Sequence, residues 1–267
     1  MRLANVKTRK ETGLSYVMQS IYTATPFGTK IMKELEPYMP GQEEALEREF
    51  SKMEQISKML NQKPKLKDIL YECFMETKDC TYTLERSGNS TLSVVELFEL
   101  KSLLIIMEKI RKLLLENQEY VLKEFMLDNI EEILNTLDPG EERINTFYIY
   151  DQFSENLGPL RKQKREYEIA ARKAQKKTKM YLEEKYNLDI TPKFECIVSK
   201  MKVEQVEKLK TIPELLIKDQ DYVNITFGVK PSEEADRLIT KMNQLTEQIE
   251  EEELKVREQL SKEIYKN

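Results

Sequence analysis

The sequence predicts a mainly α-helical protein, in which a helical bundle carries a long projecting antiparallel coiled-coil hairpin with a small α/β unit at its tip. Three observations lead to this fold class. Charged residues make up 34% of the chain, whereas glycine and proline number only seven and nine, a composition typical of long helices. The first half contains a helical pattern that is apolar on most sides. The second half contains two narrow apolar seams whose flanking residues have opposite charge.

The composition also narrows the classes of function. The net charge of −5 gives no overall attraction for nucleic acid, so a surface that binds it would have to be local. The three cysteines lack CxxC spacing and there is no histidine, which predicts free structural thiols in a reducing, cytoplasmic setting. No apolar run is long enough for a membrane span, and the N-terminal residues lack the apolar core of a signal peptide. We therefore expect no membrane partner.

Residues 1–153 are predicted to form a helical core domain. Between residues 14 and 61, apolar residues recur at spacings of three and four, which is the period of an amphipathic helix. Ser93 is the predicted N-cap of a long central helix from Val94 to about residue 115. Another helix is expected to end at Leu137, where the sequence DPGEE breaks the pattern.

The second half is predicted to be an antiparallel coiled-coil hairpin, with an outgoing helix at 154–190 and a returning helix at 231–267. Residues 161–185 contain ten basic and four acidic side chains, whereas residues 233–263 contain ten acidic and five basic ones. Helices of similar length and opposite charge are expected to pair. The predicted seams are Leu160, Tyr167, Ala171, Ala174, Thr178, Tyr181 and Leu188 on the first helix, and Ala235, Leu238, Met242, Leu245, Ile249, Val256, Leu260 and Ile264 on the second.

Residues 191–230 are predicted to form the small α/β unit at the tip. The sequences KFECIVSK and DYVNITFGV are rich in β-branched and aromatic residues, which favour strands. The sequence MKVEQVEKLKTIPELL between them is predicted to be a short helix. The tip should therefore combine two strands with one helix.

No residue pattern predicts catalysis, a metal site or a bound cofactor. A P-loop needs several glycines followed by a lysine and a hydroxyl residue, whereas TPFGTK supplies only Gly28, so we expect Pro26 to start a helix there. Without histidine, a nucleophile would need cysteine with lysine or paired carboxylates, and no local arrangement suggests either. The four glutamates at 250–253 could bind a cation, but a solvated helix face opposite the basic helix is the favoured interpretation. We predict that the chain is not an enzyme.

Two basic regions are candidates for contact with nucleic acid. The first is the outgoing helix, with the sequences RKQKRE and ARKAQKKTK, although the acidic returning helix would nearly cancel its charge. The second is the projecting tip, which can touch a duplex from the side. Acidic residues leave the tip about neutral, so its lysines would have to be sorted onto one face. The candidate DNA-binding residues of the tip are Lys193, Lys200, Lys202, Lys208, Lys210 and Lys218.

Several segments resemble the MutS family of DNA mismatch-repair ATPases. TATPFGTKIMKEL resembles the Thr-Pro-x-Gly turn and helix that open the core (lever) domain of that family, and LSVVELFELKSLLIIMEKIRKLL is similar to its central core helix. YDQFSENLGPLRKQKREYE is similar to the start of its long lever helix, with Ser154, Leu157 and Arg161 at matching positions. The α/β tip corresponds to its clamp, and LITKMNQLTEQIEEEELKVREQL is similar to its returning lever helix. The resemblance covers nearly the whole chain in order and spacing.

The resemblance implies a lever and clamp module, in which a small α/β clamp contacts double-stranded DNA or another structured nucleic acid while levers relay movement to an ATPase. It also implies that Gly28 is structural, that the full-length protein is a homodimer, and that ATP and Mg²⁺ belong only to the ATPase domain. The sequence lacks that domain and the mismatch-recognition domain, so we expect a fragment, and a shorter MutS relative that starts at the core domain fits this pattern.

A second interpretation stays open. The charge-matched hairpin and the net acidic balance also suit a coiled-coil scaffold that docks partner helices and never contacts nucleic acid. Reversing the charge of the tip lysines would separate the two interpretations, because only the lever and clamp module needs them.

Overall fold

A computed structural model describes residues 6–266 and is mainly helical, as the sequence predicts. Within that range it contains eleven α-helices and one three-stranded antiparallel sheet. The chain divides into two compact units. One consists of the described residues before Tyr150 and after Val256, and the other is Tyr150–Val256. We call the first the helical unit and the second the mixed unit.

The helical unit is built from the first eight helices and the end of the last one. They are α1 (Val6–Glu11), α2 (Leu14–Ser20), α3 (Pro26–Glu34), α4 (Glu43–Gln62), α5 (Pro64–Glu76), α6 (Thr81–Ser87), α7 (Val94–Glu116), α8 (Glu131–Leu137) and the end of α11 (Glu233–Lys266). The helical pattern predicted between residues 14 and 61 corresponds to α2, α3 and α4, and the predicted end at Leu137 is the end of α8.

The turn around Gly28 belongs to the start of a helix. Pro26 occupies the first turn of α3, where its missing N–H removes no hydrogen bond. The Gly28 N–H donates to Thr25 Oγ1 at 2.9 Å and is therefore used within the helix start. A side chain at Gly28 would place its Cβ 3.2 Å from both Thr23 Cβ and Thr25 Oγ1, which is closer than ordinary contact. Glycine therefore allows the threonine-rich turn to fold tightly onto α3.

Helix α7 is the central helix that the apolar pattern predicts. A capping box starts it, because Ser93 Oγ accepts the Glu96 N–H at 3.2 Å and Glu96 Oε2 accepts the Ser93 N–H at 2.8 Å. The hydrogen bond from the Ser93 N–H lowers the pKa of Glu96. The buried apolar side chains of α7 are Leu97, Leu100, Leu103, Ile110 and Leu114.

Helix α7 also brings a charge into the core, which its apolar pattern does not predict. Lys101 is 1% exposed, and its Nζ lies 3.0 Å from Asp138 Oδ1 and 3.0 Å from the Thr146 carbonyl oxygen. Asp138 Oδ2 accepts a further hydrogen bond from the Arg143 N–H at 2.8 Å. Burial alone would raise the pKa of Asp138, but the hydrogen bonds from Arg143 and Lys101 outweigh burial and the pKa is lowered. The DPGEE segment therefore does more than end a helix, because it holds a buried lysine.

The end of α11 packs into the helical unit through polar and aromatic groups. Ser261 is 1% exposed, accepts the Leu92 N–H at 2.9 Å and donates to the Arg257 carbonyl oxygen at 2.7 Å. The Tyr265 ring lies 2.7 Å from the position that a Cβ at Gly88 would occupy. A side chain at position 88 would therefore displace this ring.

The mixed unit combines two long helices with a small α/β fold. Its elements in chain order are α9 (Leu157–Tyr186), β1 (Glu195–Ser199), α10 (Val203–Lys210), β2 (Leu215–Gln220), β3 (Asn224–Val229) and the first part of α11. The strand order is β1-β3-β2, and both pairs are antiparallel. Strand β2 differs from the prediction, which placed residues 201–216 in one helix. Pro213 cannot continue that helix, and Leu215 instead pairs with Val229 of β3.

The seam predicted for α11 is largely buried, whereas that of α9 is partly different. Buried positions on α11 are Ala235, Leu245, Ile249, Val256, Leu260 and Ile264. On α9, Ala171 and Ala174 are buried as predicted, but Tyr181 is 46% exposed and Leu182 is fully buried instead. Leu182 belongs to the core of the α/β fold, so packing at the end of α9 overrides the regular seam.

Candidate nucleic-acid interface

The α/β fold has its core on one face of the sheet. The buried cluster draws on all three strands, on α10 and on the end of α9. Phe227, 1% exposed, lies on the central strand β3 opposite Cys196 of β1. Burial raises the pKa of the Cys196 thiol, which therefore stays protonated at neutral pH. Leu182 of α9 belongs to the same cluster, so packing as well as chain connectivity joins the α/β fold to this helix.

The opposite face of the sheet is exposed and carries Lys218. This side chain lies over Gly228 and forms an ion pair with Glu195 of β1. A Cβ at Gly228 would lie 3.6 Å from Lys218 Cβ, which is an ordinary contact distance. The hydrogen bond from Lys218 lowers the pKa of Glu195, and the charge of Lys193 adds to this effect. These two candidate lysines therefore already face a carboxylate.

Lys200 and Lys202 lie together at the other end of β1, in the turn that leads to α10. The Lys200 N–H donates to the Val223 carbonyl oxygen at 2.8 Å, which ties this turn to the turn between β2 and β3. Of the six candidate lysines, Lys210 and Lys218 form ion pairs, and within the described residues the other four form none. Neither cation of this turn is held in an ion pair, although the charge of Lys200 adds to the lowering of the pKa of Asp221.

The neighbouring turn, between β2 and β3, is fixed by a carboxylate. Asp221 Oδ1 accepts the N–H groups of Asn224 and Val223, both at 2.6 Å, and these hydrogen bonds lower the pKa of Asp221. The turn presents Tyr222 fully to solvent, and Met201 in the turn beside it is 90% exposed. Two large apolar side chains therefore stand beside the two unpaired lysines.

The six candidate lysines do not form one continuous face. Lys208 and Lys210 are exposed on α10, where Lys210 forms an ion pair with Glu207 at 2.8 Å. Lys193 and Lys218 lie near Glu195, at the start of β1. The remaining pair, Lys200 and Lys202, occupies the end of β1.

Met201 and Tyr222 are the residues of this site that the sequence analysis missed. Both are large apolar residues inside turn sequences rich in charged and polar neighbours. Such a residue has no core to enter when the chain reverses direction around it. A large apolar residue within a polar turn sequence is therefore the feature by which the sequence could have identified Met201 and Tyr222.

Helices α9 and α11 contact each other at two points within the mixed unit. Arg161 of α9 forms ion pairs with Glu253 of α11 at 2.6 Å and with Asp151. Lys241 of α11 lies with its Nζ 5.5 Å from the centre of the Tyr167 ring. Because the contact further along α9 is made by an earlier residue of α11, the two helices run antiparallel.

Two of the four glutamates at 250–253 are engaged by protein groups. Glu252 Oε1 accepts hydrogen bonds from Ser154 Oγ at 2.7 Å and Asn156 Nδ2 at 3.2 Å, and these bonds lower the pKa of Glu252. Glu253 is held by Arg161. Among residues 6–266, no group of three or more histidine, cysteine, aspartate or glutamate side chains is placed to hold a metal ion.

The helical unit contains a cavity of about 750 Å³ with a mainly apolar lining. Helices α4, α5 and α7 contribute Met59, Leu70 and Ile110 to its wall, and Cys80 is also part of it. Burial raises the pKa of the Cys80 thiol, which disfavours the reactive thiolate. This lining suits apolar contents and not a nucleotide.

Known proteins add no family assignment to this geometry. A scan against protein-family models and a search of curated proteins both found no match to the chain. Within the part of the chain that the structure describes, no helix has both the length and the apolar character needed to cross a membrane.

Proposed function

We propose that this chain is a non-catalytic lever and clamp module of a MutS-like DNA repair or recombination protein. Its clamp is the α/β fold of the mixed unit, which contacts the backbone of double-stranded DNA or another structured nucleic acid. Helices α9 and α11 are the levers, which relay movement to an ATPase domain absent from this chain. ATP and Mg²⁺ belong to that domain, and the full-length protein is a homodimer.

The turn that holds Lys200 and Lys202 is the observation that carries this proposal. Phosphate contact requires cations that are accessible and are not neutralised by neighbouring carboxylates. Neither lysine forms an ion pair within the described residues, and Lys202 is exposed. Lys200 lies closer to a carboxylate, because its charge adds to the lowering of the pKa of Asp221. The hydrogen bond from the Lys200 N–H to Val223 holds their backbone in place. Contacts of this kind position a protein on a duplex without reading its sequence.

We propose further that the levers form an antiparallel coiled-coil hairpin. The ion pair between Arg161 and Glu253 and the contact of Lys241 with the Tyr167 ring support this pairing. The small buried residues of α9 and the buried apolar residues of α11 would then form the seam between the two helices.

Charge reversal at the clamp is expected to weaken binding to DNA. The variant, called the clamp variant, is Lys200→Glu, Lys202→Glu, Lys208→Glu and Lys210→Glu, and all four side chains are intermediate or exposed. Fluorescence anisotropy with a labelled duplex of about 30 base pairs measures the affinity. We expect binding at least about tenfold weaker at about 50 mM salt, and a slope of log affinity against log salt that is smaller by about 2 or more.

A matched control separates local contact from overall charge. It reverses four exposed lysines of the helical unit, which form no ion pair within the described residues: Lys33, Lys65, Lys109 and Lys262. The control should bind much more tightly than the clamp variant, although both have the same net charge. Equal affinities of the two variants would contradict the clamp proposal.

Exposed apolar residues favour a second candidate function, that of a protein-interaction scaffold. Met201 and Tyr222 are almost fully exposed in two turns that the hydrogen bond from the Lys200 N–H to the Val223 carbonyl oxygen joins, and aromatic and methionine side chains are enriched in protein interfaces. A scaffold would lose a protein partner when both residues become serine, and it would not bind DNA before or after that change. Under the first proposal, the clamp variant would instead lose affinity for DNA and keep any protein partner.

A further inference from the structure

Helix α9 carries a row of exposed cations that the rest of the protein leaves unpaired. The stretch 162–177 contains seven basic side chains and the two carboxylates Glu166 and Glu168. Within the described residues, none of the seven forms an ion pair, whereas Arg161, just before them, forms two. The six exposed members define the basic face of α9: Lys162, Arg165, Arg172, Lys173, Lys176 and Lys177.

The acidic partner helix does not neutralise this face. The sequence alone suggests that α11 would cancel the charge of α9. Glu253, paired with Arg161, is the one described residue of α11 that forms an ion pair with α9. Glu252, its neighbour, accepts hydrogen bonds from Ser154 and Asn156 and pairs with Lys255 of its own helix. The six exposed cations between residues 162 and 177 are therefore directed to solvent.

The helical period places these cations on one side of α9. Lys162, Arg165, Arg172 and Lys176 follow one another at spacings that keep them within the same third of the helix surface. Ile169 belongs to the same row and is 63% exposed, which marks this as the side away from the buried alanines. From residue 162 to residue 177 the row is about 22 Å long at the rise of an α-helix.

A concave surface lies at the start of the row. A cavity of about 530 Å³ is lined by Lys162, Lys164 and Arg165, together with Arg161, Asp151, Glu168, Glu253 and two apolar positions. Asp151 and Glu253 are already paired with Arg161. Three cations and one carboxylate of the lining are left without an ion pair, which gives the cavity a positive balance suited to a phosphate group.

We propose that the basic face of α9 is a second contact surface for the phosphate backbone of double-stranded nucleic acid. The length of the row exceeds the width of a DNA groove, about 12 Å for the major groove, so its cations can meet phosphates on both sides of one groove. The face has no aromatic side chain, so it does not stack on bases and its contacts are independent of sequence. This inference shares its ligand, double-stranded nucleic acid, with the proposed function, and it rests on that function in no other respect.

Other polyanionic partners fit the face less well. A protein partner would need apolar anchors in a buried centre, and the row offers mainly long cationic side chains around Ile169. An anionic membrane binds helices that insert a broad apolar face, whereas Ala171 and Ala174 are buried within the protein. A regular row of unpaired cations on a long helix matches the repeated charges of a duplex.

The test removes three charges from the row and none from the clamp. The variant is Arg172→Gln, Lys173→Gln and Lys176→Gln, and the matched control is Lys33→Gln, Lys65→Gln and Lys109→Gln. Glutamine is a good helix former, and circular dichroism checks that helix content is unchanged. The binding assay uses the labelled duplex of about 30 base pairs from about 50 to about 200 mM salt, with the clamp variant in parallel.

We expect the row variant to reduce the slope of log affinity against log salt by about 2 to 3, whereas the control leaves it unchanged. An unchanged slope in the row variant overturns this inference, and the clamp proposal stands if the clamp variant still loses affinity. A smaller slope in the row variant, together with an unchanged affinity of the clamp variant, supports this inference and contradicts the clamp proposal. In a competition experiment, polyglutamate with the same total charge as the duplex is added to the unmodified chain. If it displaces the duplex, the choice of nucleic acid as the ligand is overturned.

Discussion

Replacing Asp138 by alanine is expected to lower the free energy of unfolding of the helical unit by about 3 to 5 kcal/mol. The variant leaves Lys101 buried at 1% exposure without its carboxylate partner, and it also removes the acceptor of the Arg143 N–H. A buried ammonium group without a counter-charge is strongly destabilising, because the protein interior cannot replace its hydration. Urea unfolding followed by circular dichroism measures the loss, and hydrogen exchange assigns it to α7 and α8.

Two further variants test the cause of that loss. Glu54→Ala breaks the ion pair with Lys58 on α4, in which both side chains are about two-thirds exposed. That variant should leave stability nearly unchanged, because water screens an exposed pair. The double variant Lys101→Met, Asp138→Asn removes the buried charges together and should recover most of the stability. A double variant as unstable as Asp138→Ala would contradict an electrostatic origin.

The Asp138 carboxylate makes the stability of the helical unit depend on pH in the acidic range. The pKa of Asp138 is lower in the folded protein than in the unfolded chain, so the folded state favours the ionised form. Its stabilising contribution is fully present above the pKa of an unfolded aspartate, about 3.9, and is lost as the pH falls through the lower folded value. In Asp138→Ala this part of the acid dependence should be missing.

Replacing Phe227 by alanine is expected to destabilise the α/β fold by about 3 to 5 kcal/mol. Phe227 is 1% exposed and lies at the centre of the sheet, so its removal leaves a cavity that the strands cannot close. Because Leu182 belongs to the same cluster, protection from hydrogen exchange should fall at the end of α9 as well as in the three strands. Mass spectrometry of exchanged peptides measures both regions in one experiment.

The matched control for Phe227 is Ile197→Ala on the neighbouring strand. Ile197 lies on the opposite face of the sheet and is 57% exposed, so little buried surface is lost. Its effect should stay below about 1 kcal/mol. Loss of exchange protection confined to β3 in the Phe227 variant, with α9 unchanged, would show that Leu182 does not couple the helix to the sheet.

The periodic parts of the fold could be predicted from the sequence, because one dominant effect specifies them. Helix α7 follows from a run of apolar residues behind the Ser93 cap, and the buried positions of α11 follow from its narrow seam. Where tertiary packing competes with the local pattern, prediction fails. Leu182 replaces Tyr181 in the core because the α/β fold packs beside it, and β2 forms from helix-favouring residues because β3 offers it a partner.

The candidate interface was harder to predict, because its properties depend on which charges meet. The sequence is enough to propose the six lysines as candidates. Only the fold shows that Lys218 is paired with Glu195, whereas Lys200 and Lys202 form no ion pair among the described residues. The pairing of Lys101 with Asp138 is equally hidden, since the two residues are far apart in the chain. Opposite overall charge of two helices likewise does not reveal which side chains touch.

The most direct test of the proposed function is the affinity of the unmodified chain for a duplex of about 30 base pairs as salt is raised. Backbone contact predicts measurable binding at about 50 mM salt, with log affinity falling linearly against log salt and the same values for duplexes of unrelated sequence. No binding at that salt concentration, or an affinity that does not change as salt rises to about 200 mM, would contradict it.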